Sequence, residues 1–471
     1  MLIPFLIFAT IPLISSQPPQ EIIQPHQVYP LPGKLNSIPV FNSNSPELVL
    51  NEGILLSTFP PQGKVYKNAH LNFPFPGKFD IFAHHVAKAQ SYNKLSTLYM
   101  GILLHNPRQT QVNLKILHGA SYLSQPDAPF IKLPSQVEDS LGIVYAGPGS
   151  RVMGDILRRH RQDIFPPYLI LHGKETRILA NLPIPVKDLD PPLNGRSTYV
   201  RLETNGNVYV ASLAKFAPLD KNGKERAPTL QEWKTVLKNG NLVTPRDRPP
   251  TPPGIKPIIY GRVAGVSKGS IWQGRLTNRG NWLAIPPKGL AISYPLSSLQ
   301  GGTLGTKQVQ SAPMLVRYPD TAYQAHGNYG IQYSLTLPLY NSTLESQTVT
   351  VTLQTPVKRN KLIGGLSFLA TPAPQVFFRG PISIHYLDQR QTQQTRYFHI
   401  VQHRGEFGNP LVKQTILPQR WKLVRINFLY PPDATPPQVL TVRTESSPKQ
   451  KETHDGEDVF SEKKLIYFQE S

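Results

Sequence analysis

The chain has 471 residues, which is enough for two or three domains with an apolar core in each. It contains no cysteine, and this excludes disulfide bonds, thiolate metal sites, a cysteine nucleophile and a cysteine-linked lipid anchor. A net charge of +21 at pH 7 favours anionic partners such as nucleic acid, an acidic polysaccharide or a lipid surface, although basic side chains that only keep the protein soluble would give the same value.

Proline is abundant, with 49 residues in the chain. Long helices tolerate proline poorly because it lacks the amide hydrogen, whereas edge strands and turns accommodate it. The sequence therefore predicts a mostly β fold of two β-sandwich-like domains, with one or two short helices at their junction.

The chain begins with an apolar run, Leu2–Ile14, which is followed by small and then by polar residues. The run is too short to span a bilayer, so we interpret residues 1–16 as a secretory signal peptide. No lysine or arginine precedes the run, which leaves a buried N-terminal strand as the alternative. No later segment reaches the ~18 consecutive apolar residues of a membrane span. We therefore expect an exported protein of the periplasm or cell surface, without a transmembrane anchor and without nucleic acid as its partner.

An extended segment is predicted at residues 17–45, and the first β domain at residues 46–226. The most regular stretch of this domain is Leu98–Phe130, in which apolar and polar residues alternate at period two on either side of Asn106-Pro107. Because proline interrupts a strand and asparagine tolerates turn geometry, this pattern predicts a β-hairpin.

Two further local patterns are specific. Asn205-Gly206 lies between two alternating strands within Ser197–Leu213, and Asn-Gly is a strong hairpin signal. Thr229 and Glu232 have the spacing of a capping box, which predicts a helix over Pro228–Leu242.

Six prolines fall between residues 244 and 257, so we place a helix and a proline-rich linker at residues 227–257. The second β domain is predicted at residues 258–444, and residues 445–471 are predicted to be a disordered charged tail. Alternation around Asn341 repeats the pattern around Asn106, which favours a duplicated unit. Ordinary alternation around turns is the alternative.

The chain lacks the familiar catalytic and metal-binding spacings. Adjacent His84 and His85 would point to opposite faces of a strand and so could not share an ion. His-Glu-x-x-His, the Gly-x-Ser-x-Gly elbow and glycine-rich phosphate loops are absent, and no two carboxylates stand out as a general acid and base. We predict no metal, no cofactor and no catalytic residue, with enzymatic activity left as an open alternative because many active sites lack a local signature.

One segment predicts an anion site. Gly147-Pro148-Gly149 suits a turn, Ser150 suits an N-cap, and a short basic helix is predicted over Val152–Arg161. Free amides at a helix start, with arginines nearby, bind anions. The alternative is a capped surface helix with a solvated basic face. The candidate residues are Gly147, Gly149, Ser150, Arg151, Arg158, Arg159 and Arg161.

Two aromatic residues are candidates for binding a sugar or a partner. Trp272 and Trp282 lie ten residues apart in a polar stretch that carries arginines. Exposed rings on a β surface stack on sugars or anchor a partner, and the alternative for both residues is core packing.

Several long runs resemble an uncharacterised cyanobacterial family that is known only as an exported-protein domain of unknown function. The resemblance covers about Val28 to Arg443 and implies a bacterial envelope context, but it supplies no activity and no functional residue. The runs are Gly119–Phe130, Pro191–Leu202, Arg226–Trp233, Ile258–Val266, Gln310–Asn341 and Phe428–Val442.

The sequence favours an exported, non-catalytic envelope protein whose basic surface binds an anionic polysaccharide or another envelope protein. The alternative is an envelope polysaccharide hydrolase with its site at the domain junction, which would need two carboxylates about 5–9 Å apart in a cleft. A purely structural role in assembly with a partner is a third possibility, and it would require a large exposed apolar patch.

Overall fold

The computed structural model describes residues 19–89 and 91–446. Strands take up 47% of the chain and helices 5%, which confirms the mostly β fold class. The predicted signal peptide at residues 1–16 lies outside the described residues, as do residues 447–471 of the predicted tail. None of the helices formed by residues 19–89 and 91–446 is long and apolar enough to cross a membrane.

The elements before the proline-rich linker are thirteen strands, two α-helices and one 3₁₀ turn at Lys67–Ala69. In chain order the strands and helices are β1 (Glu21–Gln24), β2 (His26–Val28), β3 (Lys34–Leu35), β4 (Pro39–Ser43), β5 (Leu48–Val49), β6 (Gly53–Ser57), β7 (Phe75–Lys88), β8 (Leu98–His105), β9 (Val112–Leu123), β10 (Gln136–Glu138), α1 (Pro148–Leu157), β11 (Tyr168–Leu171), β12 (Thr176–Ile184), β13 (Leu193–Phe216) and α2 (Leu230–Asn239).

Fourteen strands follow the linker within the described part of the chain. They are β14 (Ala264–Lys268), β15 (Ile271–Arg275), β16 (Leu283–Ala284), β17 (Ala291–Leu296), β18 (Ala312–Arg317), β19 (Gln324–Ala325), β20 (Gln332–Tyr340), β21 (Gln347–Gln354), β22 (Leu366–Leu369), β23 (Val376–Leu387), β24 (Gln393–His403), β25 (Pro410–Ile416), β26 (Trp421–Leu429) and β27 (Gln438–Thr444).

These strands form four sheets of 12, 8, 5 and 2 strands. The 12-stranded sheet includes β14, β18 and β19, which follow the linker, and the 8-stranded sheet ends in β10, which precedes it. The sheets are therefore shared across the linker. The domain limits at residues 46–226, 227–257 and 258–444 stay predictions.

Strands β8 and β9 carry the predicted alternation, but the predicted hairpin is wrong. β8 pairs with β12 and β13, whereas β9 pairs with β11 and β13, and the two do not pair with each other. The connecting loop therefore leads from β8, beside β12, to β9, beside β11. Ile102 of β8 and Leu114 of β9 belong to one buried cluster. We call two consecutive strands that do not pair with each other an arch. Alternation indicates which face of a strand is buried, and it has the same pattern in a hairpin and in an arch.

The second half repeats this arrangement. β20 and β21 also form an arch, because β20 pairs with β26 while β21 pairs with β25 and β27. The pairs β8–β12, β9–β11 and β9–β13 correspond to β20–β26, β21–β25 and β21–β27, all antiparallel. Three strand pairings that connect five strands therefore recur in both halves, and we call each set of five strands a unit; the duplication itself stays a prediction.

An asparagine closes each arch in the same way. The Nδ2 atom of Asn106 donates to three carbonyl oxygens, those of Thr110, Leu171 and His172, at 2.8–3.1 Å. The Nδ2 atom of Asn341 donates to the carbonyls of Glu345, Ile416 and Leu417 at 2.7–3.3 Å. Both side chains are fully buried, and each ties the arch loop to the end of the third strand of its unit.

The predicted hairpin at Asn205-Gly206 is also wrong, because β13 continues through it as one strand of 24 residues. Neither residue has the positive φ that a type I′ turn requires. The register shifts between Thr204 and Val208 instead, and the Thr204 hydroxyl donates to the Gly206 carbonyl at 2.9 Å. A Cβ at Gly206 would lie 2.8 Å from Val112, so the glycine permits close packing at a bulge.

Helix α2 forms where the capping box predicted it. Thr229 Oγ1 accepts from the Glu232 amide at 3.3 Å, and the Glu232 carboxylate accepts from the Thr229 amide at 2.7 Å. Trp233 of this helix is fully buried against Gly101 of β8, where a Cβ would lie 2.5 Å from the indole ring. The helix therefore covers the outer face of β8.

The segment at residues 19–45 supplies one strand to each of the four sheets. β1 pairs with β22, β2 with β17, β3 with β15, and β4 with both β7 and β14. Along β4 the side chains alternate between two environments: Phe41 packs into the core of the first half, whereas Val40 packs against the buried cluster around α1.

Candidate functional site

Helix α1 lies between the two halves of the molecule. Val152, Met153 and Ile156 are fully buried in a cluster with Tyr199 of β13 and Leu429 of β26. The helix begins at Pro148 and ends at Leu157, so the predicted bounds of Val152–Arg161 are too late. It packs on β9 and β13 from the first half and on β23 and β26 from the second, which makes it a junction helix.

The N-terminal end of α1 is filled by protein atoms. Gly147 is the N-cap, and the predicted N-cap role of Ser150 is wrong, because its hydroxyl donates to the Ala146 carbonyl at 2.8 Å. A Cβ at Gly147 would lie 2.2 Å from the Phe130 ring. A Cβ at Gly149 would lie 2.3 Å from Pro432, so Phe130 and Pro432 pack closely against the first turn of this helix.

Two of the predicted arginines are fixed by contacts inside the protein. The Arg151 guanidinium lies over the rings of Tyr122 and Tyr145, 4.1 and 4.3 Å from their centroids, and donates to the Asp127 carbonyl. Arg161 donates to the Phe165 carbonyl at 2.6 Å. Both arginines therefore stabilise the loops around α1.

The other two predicted arginines meet at a cleft, which we call the arginine cleft. Its volume is about 540 Å³, and it lies between the C-terminal end of α1 and the 8-stranded sheet. It is lined by His118, Ile156, Leu157, Arg158, Arg159, Arg201, Ile271, Gln332, Ser334, Ser383, His385, Tyr397 and Asn427.

Arg201 is a largely buried cation of this cleft that is paired with a buried carboxylate. Its Nε lies 3.4 Å from the Asp80 carboxylate, and its Nη1 donates to Gln332 at 2.8 Å. Burial is the largest single effect and disfavours the charged guanidinium, but the Asp80 carboxylate and the Tyr199 hydroxyl together outweigh it and raise the pKa of Arg201. Its Nη2 atom is buried and has no hydrogen-bond partner in the described part of the chain. The buried Nε atom, although it faces Asp80, also has no hydrogen bond in the described part of the chain, so Arg201 is cationic and keeps two donor groups unused.

Arg158 and Arg159 stand at the end of α1. The Arg158 guanidinium lies 4.2 Å from the Tyr397 ring centroid and 3.1 Å from the Asp139 carboxylate, so its charge is largely balanced. Arg159 is exposed, has a φ of 63°, and forms no ion pair with the residues that the structure describes. Arg159 is thus the cleft cation with the least compensated charge.

Two histidines complete the cleft. The carbonyl of Arg159 lies 3.1 Å from His118 Nδ1, and Thr395 Oγ1 lies 3.0 Å from His385 Nδ1. Burial lowers the pKa of both imidazoles, helped by Arg201 for His118 and by Arg425 for His385. Both side chains are therefore neutral at pH 7 and become cationic on acidification.

The second junction cavity, which we call the linker cleft, has a volume of about 590 Å³. It lies between β4, the proline-rich linker and loops of the second half. Its polar lining includes Asn42, Asn44, Asp247, Arg248, Tyr260, Arg262, His326 and Lys358.

Carboxylates are scarce in both junction clefts. Among the residues that line the linker cleft, Asp247 is the one carboxylate, and it accepts from the Ser45 hydroxyl at 2.7 Å. The arginine cleft has no carboxylate in its described lining. Neither cleft supplies the carboxylate pair that the hydrolase alternative requires.

A cleft beside α2 does contain two carboxylates, but both are engaged. Glu52 pairs with Lys215 at 3.2 Å, and Glu232 pairs with Arg226 at 2.7 Å while serving the capping box. The Arg226 interaction and the helix amides hold the pKa of Glu232 down to about 2. Within residues 19–89 and 91–446, no three His, Asp or Glu side chains are close enough to hold a metal ion.

The two predicted aromatic residues have different surroundings. Trp272 is only 6% exposed and its indole donates to the Pro32 carbonyl at 3.0 Å, so it belongs to the core. Trp282 is half-buried, and its ring lies 5.1 Å from that of Trp421 and 6.0 Å from that of Tyr340. Trp421 is half exposed, which leaves a small aromatic patch at this sheet end.

A comparison with protein families gives a match over residues 26–444, with the description "Protein of unknown function (DUF3370)". The chain belongs to the DUF3370 family. This confirms the resemblance to an uncharacterised family, while the cyanobacterial source stays a prediction. No curated protein matches the DUF3370 chain. Among solved structures, procruciferin, an 11S globulin from Brassica napus, is 8% identical over 76% of this chain and 78% of its own, but the TM-score of 0.13 supports no conclusion.

The sequence of the DUF3370 chain predicted two residues of the arginine cleft, Arg158 and Arg159, because they follow a helix signal. It did not predict Arg201, His118 and His385 as site residues. These three lie on separate strands, where each is one polar residue of an alternating pattern. Nothing local marks them, since only the sheet pairing brings them together.

Proposed function

We propose that the protein is exported and binds an acidic saccharide in the arginine cleft without transforming it. The observation that carries the proposal is the lining of this cleft: three arginines and two histidines, with no carboxylate among the described lining residues. Fractionation of cells that express the full chain tests the location, and recovery in the cytoplasm alone would contradict export.

The chemistry of the lining supports a saccharide over a bare ion. Ser334, Ser383, Asn427 and Gln332 add hydroxyl and amide groups beside the cations, and these groups suit sugar hydroxyls. A volume of about 540 Å³ accommodates a sugar unit, since small-ligand sites span about 300–1,000 Å³. The charge of +21 also attracts an anionic polymer from a distance of about one Debye length, roughly 8–10 Å.

Replacing Arg159 by asparagine should weaken binding of polygalacturonate about tenfold, because one charge-assisted contact contributes about 1.4 kcal/mol or more. Asparagine is chosen because it tolerates the φ of 63° at this position. Binding is measured by isothermal titration in 50 mM salt, with dextran sulfate as a second anionic probe and uncharged dextran as the neutral one.

The matched control is Arg390→Asn, which removes an exposed arginine outside the cleft and should leave binding unchanged. Wild-type binding should fall when the salt is raised to 200 mM, because screening weakens exposed charge pairs. Equal affinity for dextran and polygalacturonate, or no binding of either anionic polymer at 50 mM salt, would contradict the proposal.

Acidification should strengthen this binding. Burial holds the pKa values of His118 and His385 below the ordinary value, so both are neutral at pH 7.5 and gain protons as the pH is lowered; binding is compared at pH 7.5 and pH 5.5. Each proton adds a positive charge to the cleft, and we expect affinity for polygalacturonate to rise about threefold or more between these pH values. The double variant His118→Gln, His385→Gln should lose this rise, and a flat wild-type profile would argue against the cleft.

A further inference from the structure

We propose that the linker cleft is a second binding site, which takes an uncharged saccharide unit. This site is independent of the arginine cleft and does not require the function proposed for it. The inference starts from three polar atoms in the wall of the linker cleft that are buried and lack a hydrogen-bond partner among the described residues. They are Asn42 Oδ1, Asn44 Oδ1 and His326 Nδ1.

The fold explains why two asparagines point to this junction. Strand β4 alternates, so that Phe41 and Ser43 face the first half while Asn42 and Asn44 fall on the opposite side, with Val40. Apolar residues at these positions would pack well against the second half. Keeping two polar groups there without partners costs stability, about 1–3 kcal/mol for each unsatisfied buried group. Ordered water or a bound ligand is the usual source of hydrogen bonds for such groups.

The chemistry of these atoms selects a hydroxyl-bearing ligand. Burial and the nearby Lys358 cation lower the pKa of His326 to about 4, so its imidazole is neutral at pH 7 and has one donor and one acceptor nitrogen. An asparagine amide likewise has a donor end and an acceptor end. A sugar hydroxyl donates and accepts, and it therefore satisfies both kinds of group.

The charges around the cleft argue against an ionic ligand. Arg248, Arg262 and Lys358 line it against one carboxylate, Asp247, so a metal cation or an ammonium group would be repelled. The amide oxygens in turn disfavour a bare anion. A volume of about 590 Å³ is also far larger than an inorganic ion requires and lies in the range for small organic ligands.

One wall of the cleft is an aromatic surface in a fixed orientation. The ring of Tyr260 lies 4.8 Å from the imidazole of His326. The Tyr260 hydroxyl donates to the Gln300 carbonyl at 2.6 Å and accepts from Lys358 at 2.9 Å, which fixes the ring before any ligand arrives. Sugars bind to such sites through their apolar ring face and their hydroxyls at the same time, and a preformed wall reduces the ordering that binding requires.

The test uses saturation-transfer-difference NMR on the full chain with three uncharged probes: methyl α-D-glucoside, N-acetylglucosamine and maltotriose, each at 10 mM. We expect saturation transfer to at least one of them. His326→Phe keeps the ring that contacts Tyr260 and removes the nitrogen, and it should weaken that binding at least tenfold. Asn42→Leu should do the same without lowering the melting temperature, because it replaces an unpartnered buried amide with an apolar group.

The matched control is His172→Phe, the same change at an exposed histidine outside the cleft, and it should leave the signal unchanged. If Asn42→Leu fails to fold, the saturation transfer measured with His326→Phe decides whether the proposal holds. Absence of saturation transfer to all three probes, or equal signals from wild type and His326→Phe, would overturn the proposal. In a crystal soaked with the binding probe, ordered water alone on the three atoms would also overturn it. The three sugars used here carry no charge, so their binding tests the linker cleft. A failure of polygalacturonate to bind would contradict only the function proposed for the arginine cleft.

Discussion

Replacing Asn341 by alanine is expected to lower the free energy of unfolding by about 3–5 kcal/mol, because several buried groups lose their partners at once. The Nδ2 atom serves three carbonyls, and Oδ1 accepts from the Thr343 amide at 3.0 Å. Asn106→Ala should have an effect of the same size in the first half, where the bonding pattern is the same. Denaturant unfolding of the full chain measures both.

Two further variants sharpen this experiment. Asn341→Asp keeps the shape and the acceptor but removes the donor, so it should destabilise as much as alanine does. Asn113→Ala removes an exposed asparagine from β9 and should change stability by less than about 0.5 kcal/mol. A loss below about 1 kcal/mol in Asn341→Ala would show that the arch loops do not depend on their asparagines.

Acidification from pH 7 to pH 5 is expected to cost about 3–6 kcal/mol of stability, an amount discounted for partial solvent access. Burial is the main reason why five histidines of the described residues have a pKa of about 4 in the folded chain, against an ordinary value of 6.5. Since the unfolded chain binds protons at a higher pH than the folded one, stability is lost as the pH falls from 6.5 towards 4. The five are His26, His70, His85, His326 and His399.

The measurement is the unfolding midpoint as a function of pH. The loss between pH 6.5 and 5 comes from the histidines, because the carboxylates with lowered pKa, such as Glu47 and Glu232, lose their contribution only below about pH 4.5. Burial raises the pKa of Asp80 and Asp433, and this effect opposes the loss. His399→Leu should reduce the pH dependence, because both of its ring nitrogens are buried without hydrogen-bond partners in the described chain. His172→Gln, at an exposed position, should leave the profile as it is. Equal midpoints at pH 7 and pH 5 would contradict the expected cost.

The sequence predicted local structure better than it predicted pairing. Alternation correctly located β8, β9, β20 and β21, and the capping box at Thr229 located α2. Both hairpin predictions failed for one reason: a strand's own residues report its buried face, while its partner is chosen by the rest of the core. Asn205-Gly206 could support a tight turn, but β13 has neighbours on both sides of these residues and continues through them with a bulge.

The site was harder to predict than the fold. A helix signal directed attention to Arg158 and Arg159, yet the start of α1 is closed by Phe130 and Pro432, whose positions depend on loops distant in sequence. The linker cleft had no sequence signal, because Asn42 and His326 become neighbours of one cavity only through the packing of β4 against the second half. Any site whose residues come from several distant strands lacks a local sequence signal in the same way.

The segment at residues 19–45 also determines the order in which the molecule can be completed. Its strand β4 can pair early with β7, but β1, β2 and β3 pair with β22, β17 and β15, all of which lie beyond the linker, so these three strands can be placed only late. Until then β15 and β17 each keep an open edge, because β3 and β2 end their sheets. Such long-range closure slows folding and leaves unpaired edges open to other chains in the meantime. Folding is therefore completed when the strands of the segment at residues 19–45 pair with the second half.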